Sequence, residues 1–204
     1  QSVDKESRWK VMKRRVQLLV GMVLLSLVLA GCGSYTFSGT AYNPVIAAPE
    51  IVGTAGDGSS FNLSDLRDKV VLLFFGYTNC PDICPMTLGD MKRVQTQLGD
   101  KAENVAFVLV SLDPDRDTPE RLAAYTGAFS PDFIGVQVAD DQLEGEEGVK
   151  ASFGVFSEKR ILNEANPDDY AVDHTGWTYV IDREGNLREV LATNAPIDGI
   201  VKDI

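Results

Sequence analysis

Val70-Val-Leu-Leu-Phe-Phe-Gly-Tyr-Thr-Asn-Cys-Pro-Asp-Ile-Cys-Pro85 is the stretch on which the fold turns. It opens on an unbroken apolar run, the pattern of a strand covered on both faces, as in a parallel sheet. Met86, Leu88, Met91, Val94 and Leu98 then recur near helical spacing and Gly99 supplies a stop, so a helix is expected over 85–98. Val105-Ala-Phe-Val-Leu-Val-Ser-Leu112 reads as a second buried strand. Strand, helix and strand in this length make a βαβ unit, so the two strands should run parallel through a right-handed crossover. Cys80 and Cys84 follow the first strand. Ligands of open α/β sheets collect at the carboxyl ends of strands. A thiol near a helix N-terminus has its thiolate favoured by free N–H groups and the helix dipole.

The flanking sequence completes the layout. A hairpin is expected over 51–61, turning at Gly56-Asp57-Gly58. Thr118-Pro119 has the form of an N-cap and first helical residue, opening a helix that runs to 129. A short strand is expected over 134–138, a polar acidic helix with a solvated face over 141–153, and extended chain over 155–161. Residues 163–172 read as a polar loop. A strand over 177–181, a turn at Asp182-Arg-Glu-Gly-Asn186 and a strand over 187–191 make an antiparallel hairpin. A short helix begins at Ile197. This order is thioredoxin-like: an α/β fold with a central mixed β-sheet flanked by helices and an N-terminal hairpin, spanning 49–204.

The chain has 204 residues and a formal net charge of -11. Lys5, Arg8, Lys10, Lys13, Arg14 and Arg15 against Asp4 and Glu6 give residues 1–31 a net +4, which leaves -15 for the rest. Such an acidic body excludes nucleic acid as a partner, because phosphate binding needs clustered Lys and Arg. A basic head followed by apolar residues 16–30 has the layout of a secretory signal or hydrophobic anchor, assigned to 1–31. As a helix that run reaches about 22 Å, short of the roughly 30 Å hydrocarbon core. Leu29-Ala30-Gly31-Cys32 resembles a bacterial lipobox, making Cys32 the expected lipidation site and placing the domain at the extracytoplasmic face of a membrane. Residues 32–48 are small, polar and Pro-containing, a flexible tether. The chain begins with Gln1 rather than Met, so a native start upstream is expected.

Cys80 and Cys84 are spaced C-x-x-x-C. On an ideal helix their Cβ atoms would lie about 5–6 Å apart, whereas a relaxed disulfide wants about 3.5–4.5 Å. A bridge therefore needs local unwinding around Pro81, while a shared metal with bonds of roughly 2.3 Å to each sulfur is less demanding. Two buried apolar cysteines or a plain structural disulfide are the blander alternatives. His174 is the only histidine of the chain and precedes the 177–181 strand, where the fold would turn it toward the cysteines. Two thiolates and an imidazole suit copper in either oxidation state, and zinc would want a fourth ligand. The Asp113/Asp115/Asp117 cluster reads as a turn leading into the Thr118 cap, ahead of a docking patch. Asp82 is placed to orient a ligand or to stabilise the helix start.

Gly76 to Pro85 with Thr87-Leu88 resembles the copper-site segment of the SCO/SenC family. Val110-Ser-Leu-Asp-Pro-Asp-Arg-Asp-Thr-Pro-Glu120 is similar to that family's second block, and Asp173-His174 with Tyr179-Val-Ile-Asp182 to its third. The resemblance implies a membrane-tethered metallochaperone that assists assembly of the dinuclear copper centre of cytochrome c oxidase. It implies that Cys80, Cys84 and His174 hold copper as Cu(I), Cu(II) or both. The implied partners are the copper-bearing oxidase subunit, an upstream copper donor and a thiol reductant. Asn79 departs from the His that many members carry, and the last helix is expected to be cut short. The alternative is a thiol-disulfide reductase acting on the oxidase subunit's cysteines, with Cys80 as nucleophile and Cys84 as resolving thiol. A peroxidase is a weaker third option.

Overall fold

The structure, a computed structural model, describes Trp9, Met12, Lys13, Arg15, Gln17 and residues 35–204. It divides into two units, Gln1–Thr36 and Phe37–Ile204. In the first, the described residues before position 18 are helical, with the Lys13 ammonium 5.1 Å from the Trp9 ring centre. Cys32 and the apolar run, Gln17 apart, lie outside the described residues. Among the described residues no helix is long and apolar enough to cross a membrane.

The second unit is built on an eight-stranded mixed sheet. Its strands are β1 (Thr40–Ala47), β2 (Val52–Ala55), β3 (Ser60–Asn62), β4 (Val70–Gly76), β5 (Val105–Ser111), β6 (Ile134–Gln137), β9 (Thr178–Ile181) and β10 (Asn186–Leu191). Their order across the sheet is β1-β10-β9-β4-β5-β6-β2-β3. A separate two-stranded sheet pairs β7 (Ser157–Ile161) with β8 (Tyr170–His174). The helices are α1 (Ile83–Leu98), α2 (Pro119–Gly127), α3 (Asp140–Leu143), α4 (Val149–Phe153) and α5 (Ile197–Asp203).

The βαβ expectation holds: β4 and β5 are parallel with Val70 opposite Val105 and Gly76 opposite Ser111. Every residue of both strands is buried, which is why their sequences show no alternation. Each Leu, Val or Phe packed in this way contributes about 1.5–3 kcal/mol. β9 lies antiparallel on the other side of β4 and makes the sheet mixed. The expected hairpin is β2–β3, at the edge beyond β6.

Three expectations need correction. Residues 40–47, within the expected flexible tether, are β1, paired antiparallel with β10 from Thr40 opposite Val190 to Ala47 opposite Asn186. The segment ahead of β1 is held by carboxylates: Gly39 N–H donates to Glu189 Oε2 and Ser38 N–H to Asp203 Oδ2, each at 2.8 Å. The acidic helix over 141–153 is two short helices, because Gly145 takes a left-handed φ of 93° between them. Within the polar loop expected over 163–172, Tyr170 begins β8, whose partner strand β7 supplies the hydrogen bonds that the local sequence does not announce.

Candidate metal centre

The Cys-bearing loop leaves the carboxyl end of β4. α1 starts at Ile83, earlier than its apolar periodicity indicates, so Cys84 sits in its first turn and Cys80 precedes it. Pro85 is tolerated there because the first N–H groups of a helix have no intrahelical partner. One of those groups, the N–H of Cys84, donates to Cys80 Sγ at 3.3 Å. The unwinding that brings the two sulfurs together is thus the helix start itself. Gly76 allows the close approach: a Cβ there would lie 2.8 Å from Cys84 Sγ and 2.7 Å from Phe74 Cε1.

His174 ends β8. Its Nε2 lies 3.4 Å from Cys84 Sγ and 4.0 Å from Cys80 Sγ. All three ligand atoms fall within 4.8 Å of one another. Nδ1 is 2.9 Å from the Thr175 carbonyl oxygen, so it is assigned the proton and donates, leaving Nε2 with its lone pair aimed at the sulfurs. Phe74 and Tyr77 meet the imidazole edge-on, at centroid distances of 6.0 and 5.7 Å. Gly176 lets the chain pass over the start of α1, since a Cβ there would overlap Ile83 Cδ1 at 2.4 Å.

The donor set fits a thiophilic metal. Bonds of about 2.3 Å to sulfur and about 2.0 Å to nitrogen let one ion serve atoms up to roughly 4.3 Å apart. Both nitrogen–sulfur distances lie inside that reach. Two thiolates with one imidazole match copper by softness. Access is one-sided, for Cys84 is wholly buried, Cys80 is 9% exposed and His174 is half-buried. The site is therefore reached from solvent through half-buried His174 and the small exposed part of Cys80.

The two thiols are electrostatically unequal. The Cys84 thiol hydrogen bond, opposed by burial and helped by His174 and the N–H groups of Asp82 and Cys84, lowers the Cys80 pKa to about 4. Burial, then the neighbouring Cys80 sulfur, pushes Cys84 upward. A lowered pKa means that Cys80 is thiolate throughout the neutral range while Cys84 keeps its proton. Alkylation of the reduced chain by iodoacetamide should therefore proceed at Cys80 with a rate nearly flat from about pH 6 to 8, where an ordinary thiol of pKa about 8.5 gains close to tenfold per unit. A tenfold rise per unit at Cys80, read by peptide mass spectrometry, would contradict this.

Residues outside the Cys and His motifs hold the site. Asp117, fully buried, accepts from Thr78 N–H at 3.0 Å, from the Thr78 hydroxyl and from Ser111 Oγ at 2.7 Å, fixing the Cys loop to the end of β5. Asp113, also fully buried, takes Arg116 and the Tyr170 hydroxyl. Asp115 is exposed and pairs with Lys159. Thr118 does cap α2, accepting from Arg121 N–H at 3.3 Å. The cluster is thus the expected turn and cap, with Arg116 and Asp117 N–H both donating to the Asp113 carbonyl, and its carboxylates Asp113 and Asp117 in addition brace the site from inside. Arg121 joins Thr78 Oγ1 to Asn79 Oδ1, which gives Asn79 a structural partner. The Asp82 side chain makes no capping bond to α1.

A family model described as SCO1/SenC matches residues 49–204. The chain belongs to the SCO1/SenC family. Among SCO-named relatives, a "SCO2-like protein" of Rickettsia felis is 36% identical over 129 residues, 63% of this chain and 61% of the relative. The chain thus spans about three fifths of the length of the first curated relatives it matches. The solution structure of apo Sco1 from Thermus thermophilus superposes with a TM-score of 0.72 at 36% identity, covering 84% of this chain and 96% of that one. Bradyrhizobium japonicum ScoI, solved with copper bound, gives 0.68 at 28% identity over 78% of this chain and 98% of that one. The thioredoxin-like mixed sheet is common to these SCO structures.

Proposed function

We propose that this SCO1/SenC chain carries copper to cytochrome c oxidase, where it assists assembly of the dinuclear copper centre. The observation that supports the reading is the convergence of Cys80, Cys84 and His174, from opposite parts of the sequence, within 4.8 Å. Copper-bound SCO structures of the same fold lend it weight. The pre-formed Cys80 thiolate makes the first bond to the incoming ion. Cys84 then loses its proton to solvent and bonds, and His174 closes the site through Nε2. Release runs by ligand exchange, one protein donor giving way to one donor of the recipient at a time. Oxidation of the pair to a disulfide removes both sulfur donors, so loading depends on a thiol reductant. The Leu29–Cys32 lipobox-like run supports lipid anchoring at Cys32 and an extracytoplasmic location. An upstream copper donor of matching thiolate chemistry belongs to the same proposal.

The low pKa of Cys80 also supports the second reading, a reductase for the oxidase subunit's thiols. Oxidase activity in cells carrying Cys80→Ala, Cys84→Ala or His174→Ala separates the two. All three variants should lose most oxidase activity, and added copper should restore it. Full activity with His174→Ala alongside loss with either cysteine variant would favour the reductase.

A further inference from the structure

The strand that bears His174 is not part of the main sheet. Among the described residues β7 and β8 pair only with each other, so no ladder there fixes the imidazole relative to the sulfurs. Side chains fix it instead, and most of them come from the loop after β5. The Tyr170 hydroxyl donates to Asp113 Oδ1 at 2.6 Å. Arg116 Nη1 donates to the Tyr170 carbonyl at 3.0 Å, Arg116 Nε donates to Asp113, and the guanidinium carbon lies 3.6 Å from the Tyr170 ring centre. Tyr170 is therefore held by its hydroxyl, its ring and its backbone at once. Further along β8, Val172 N–H donates to the hydroxyl of Tyr77, in the Cys-bearing loop, at 3.2 Å. From Tyr170 to His174 the extended strand is a rigid arm of about 13 Å.

We infer that Tyr170, locked by Asp113 and Arg116, is a positioning residue that sets the distance of His174 Nε2 from the two sulfurs. The inference rests on the copper reading and deepens it. Copper(I) is satisfied by thiolates, whereas copper(II) favours the added nitrogen donor. The clamp therefore selects for the oxidised ion: it is a device for copper(II) retention and leaves copper(I) to the cysteines. Releasing it converts a three-donor site into a dithiolate without touching any ligand.

The test uses the full reduced chain and the conservative variant Tyr170→Phe, which keeps the ring over Arg116 and deletes only the hydroxyl. Hydrogen–deuterium exchange of the metal-free chain should rise at least tenfold across 170–175 and stay unchanged in β4 and β5. Titrated separately, copper(II) should bind roughly 10–100-fold more weakly, the range for losing an outer partner of a metal ligand, and copper(I) within about threefold of the parent. In a His174→Ala background Tyr170→Phe should add nothing to the copper(II) loss, an outcome that a general loss of stability would not produce. Equal weakening of both ions, additivity with His174→Ala, or unchanged exchange would overturn the clamp. The exchange measurement needs no metal, so a parent chain that bound neither ion would sink the copper reading while the clamp was still decided by 170–175.

Discussion

Cys84→Ser should remove copper(I) binding almost completely, weakening it by more than the roughly 100-fold that loss of an outer partner costs. The sulfur is directly bound in the proposed complex, and a hydroxyl of ordinary acidity offers no soft anionic donor in its place. Cys84 is wholly buried and its thiol hydrogen-bonds the Cys80 sulfur. Serine preserves most of that volume, so the fold should survive and isolate the ligand effect. His174→Ala should behave differently, costing copper(II) far more than copper(I), because it leaves the sulfur pair intact. Competition titrations against chelators of known affinity measure both. Retention of parent copper(I) affinity by Cys84→Ser would place the metal elsewhere. Its proton must also leave before the second sulfur bonds, so copper(I) affinity should rise with pH through neutrality.

Asp117→Ala should produce the largest loss of stability of any single change near the site. Asp117 has no exposure and takes the Thr78 N–H, the Thr78 hydroxyl and the Ser111 hydroxyl. Alanine leaves these donors without their shared acceptor, at about 1–3 kcal/mol for each that stays buried. A net loss of about 4 kcal/mol is expected from donors left without an acceptor. At about 2–4 °C per kcal/mol for a unit of this size, Tm should fall by about 10 °C. Asp117→Asn keeps one acceptor oxygen and should cost less than half as much. Calorimetry decides the matter, and a loss below about 1 kcal/mol for the alanine variant would mean that the Cys loop is held by something else.

What the sequence disclosed followed from how local each signal is. β4 and α1 were legible because an apolar run and a helical period ending at Gly99 need no distant partner to be recognised. β1 was not legible. Its residues are nearly all exposed, so they carry no burial pattern, and only β10, far along the chain, makes them a strand. β8 was hidden differently: its half-buried residues follow a polar Asn- and Asp-rich loop, and only pairing with β7 makes them a strand. The chemistry of the cysteines could be read from their spacing and from the strand before them. The nearness of His174, some ninety positions away, came from the topology of the fold and not from any local pattern. Asp113 and Asp117 escaped because a carboxylate followed by proline or preceding a cap has the ordinary signature of a turn. Only burial distinguishes a brace from a turn, and burial of a polar side chain leaves no mark in composition.

The edge strand β1 also gives the domain a heading. β10 runs in the same direction as β4, and Thr40 pairs with Val190 near its far end. The polypeptide therefore joins the sheet at the end from which the sulfurs emerge, three strand spacings or about 14 Å to the side. Phe37, Ser38 and Gly39 therefore lie on the same rim of the sheet as the Cys-bearing loop, with Ser38 and Gly39 tied there by Asp203 and Glu189.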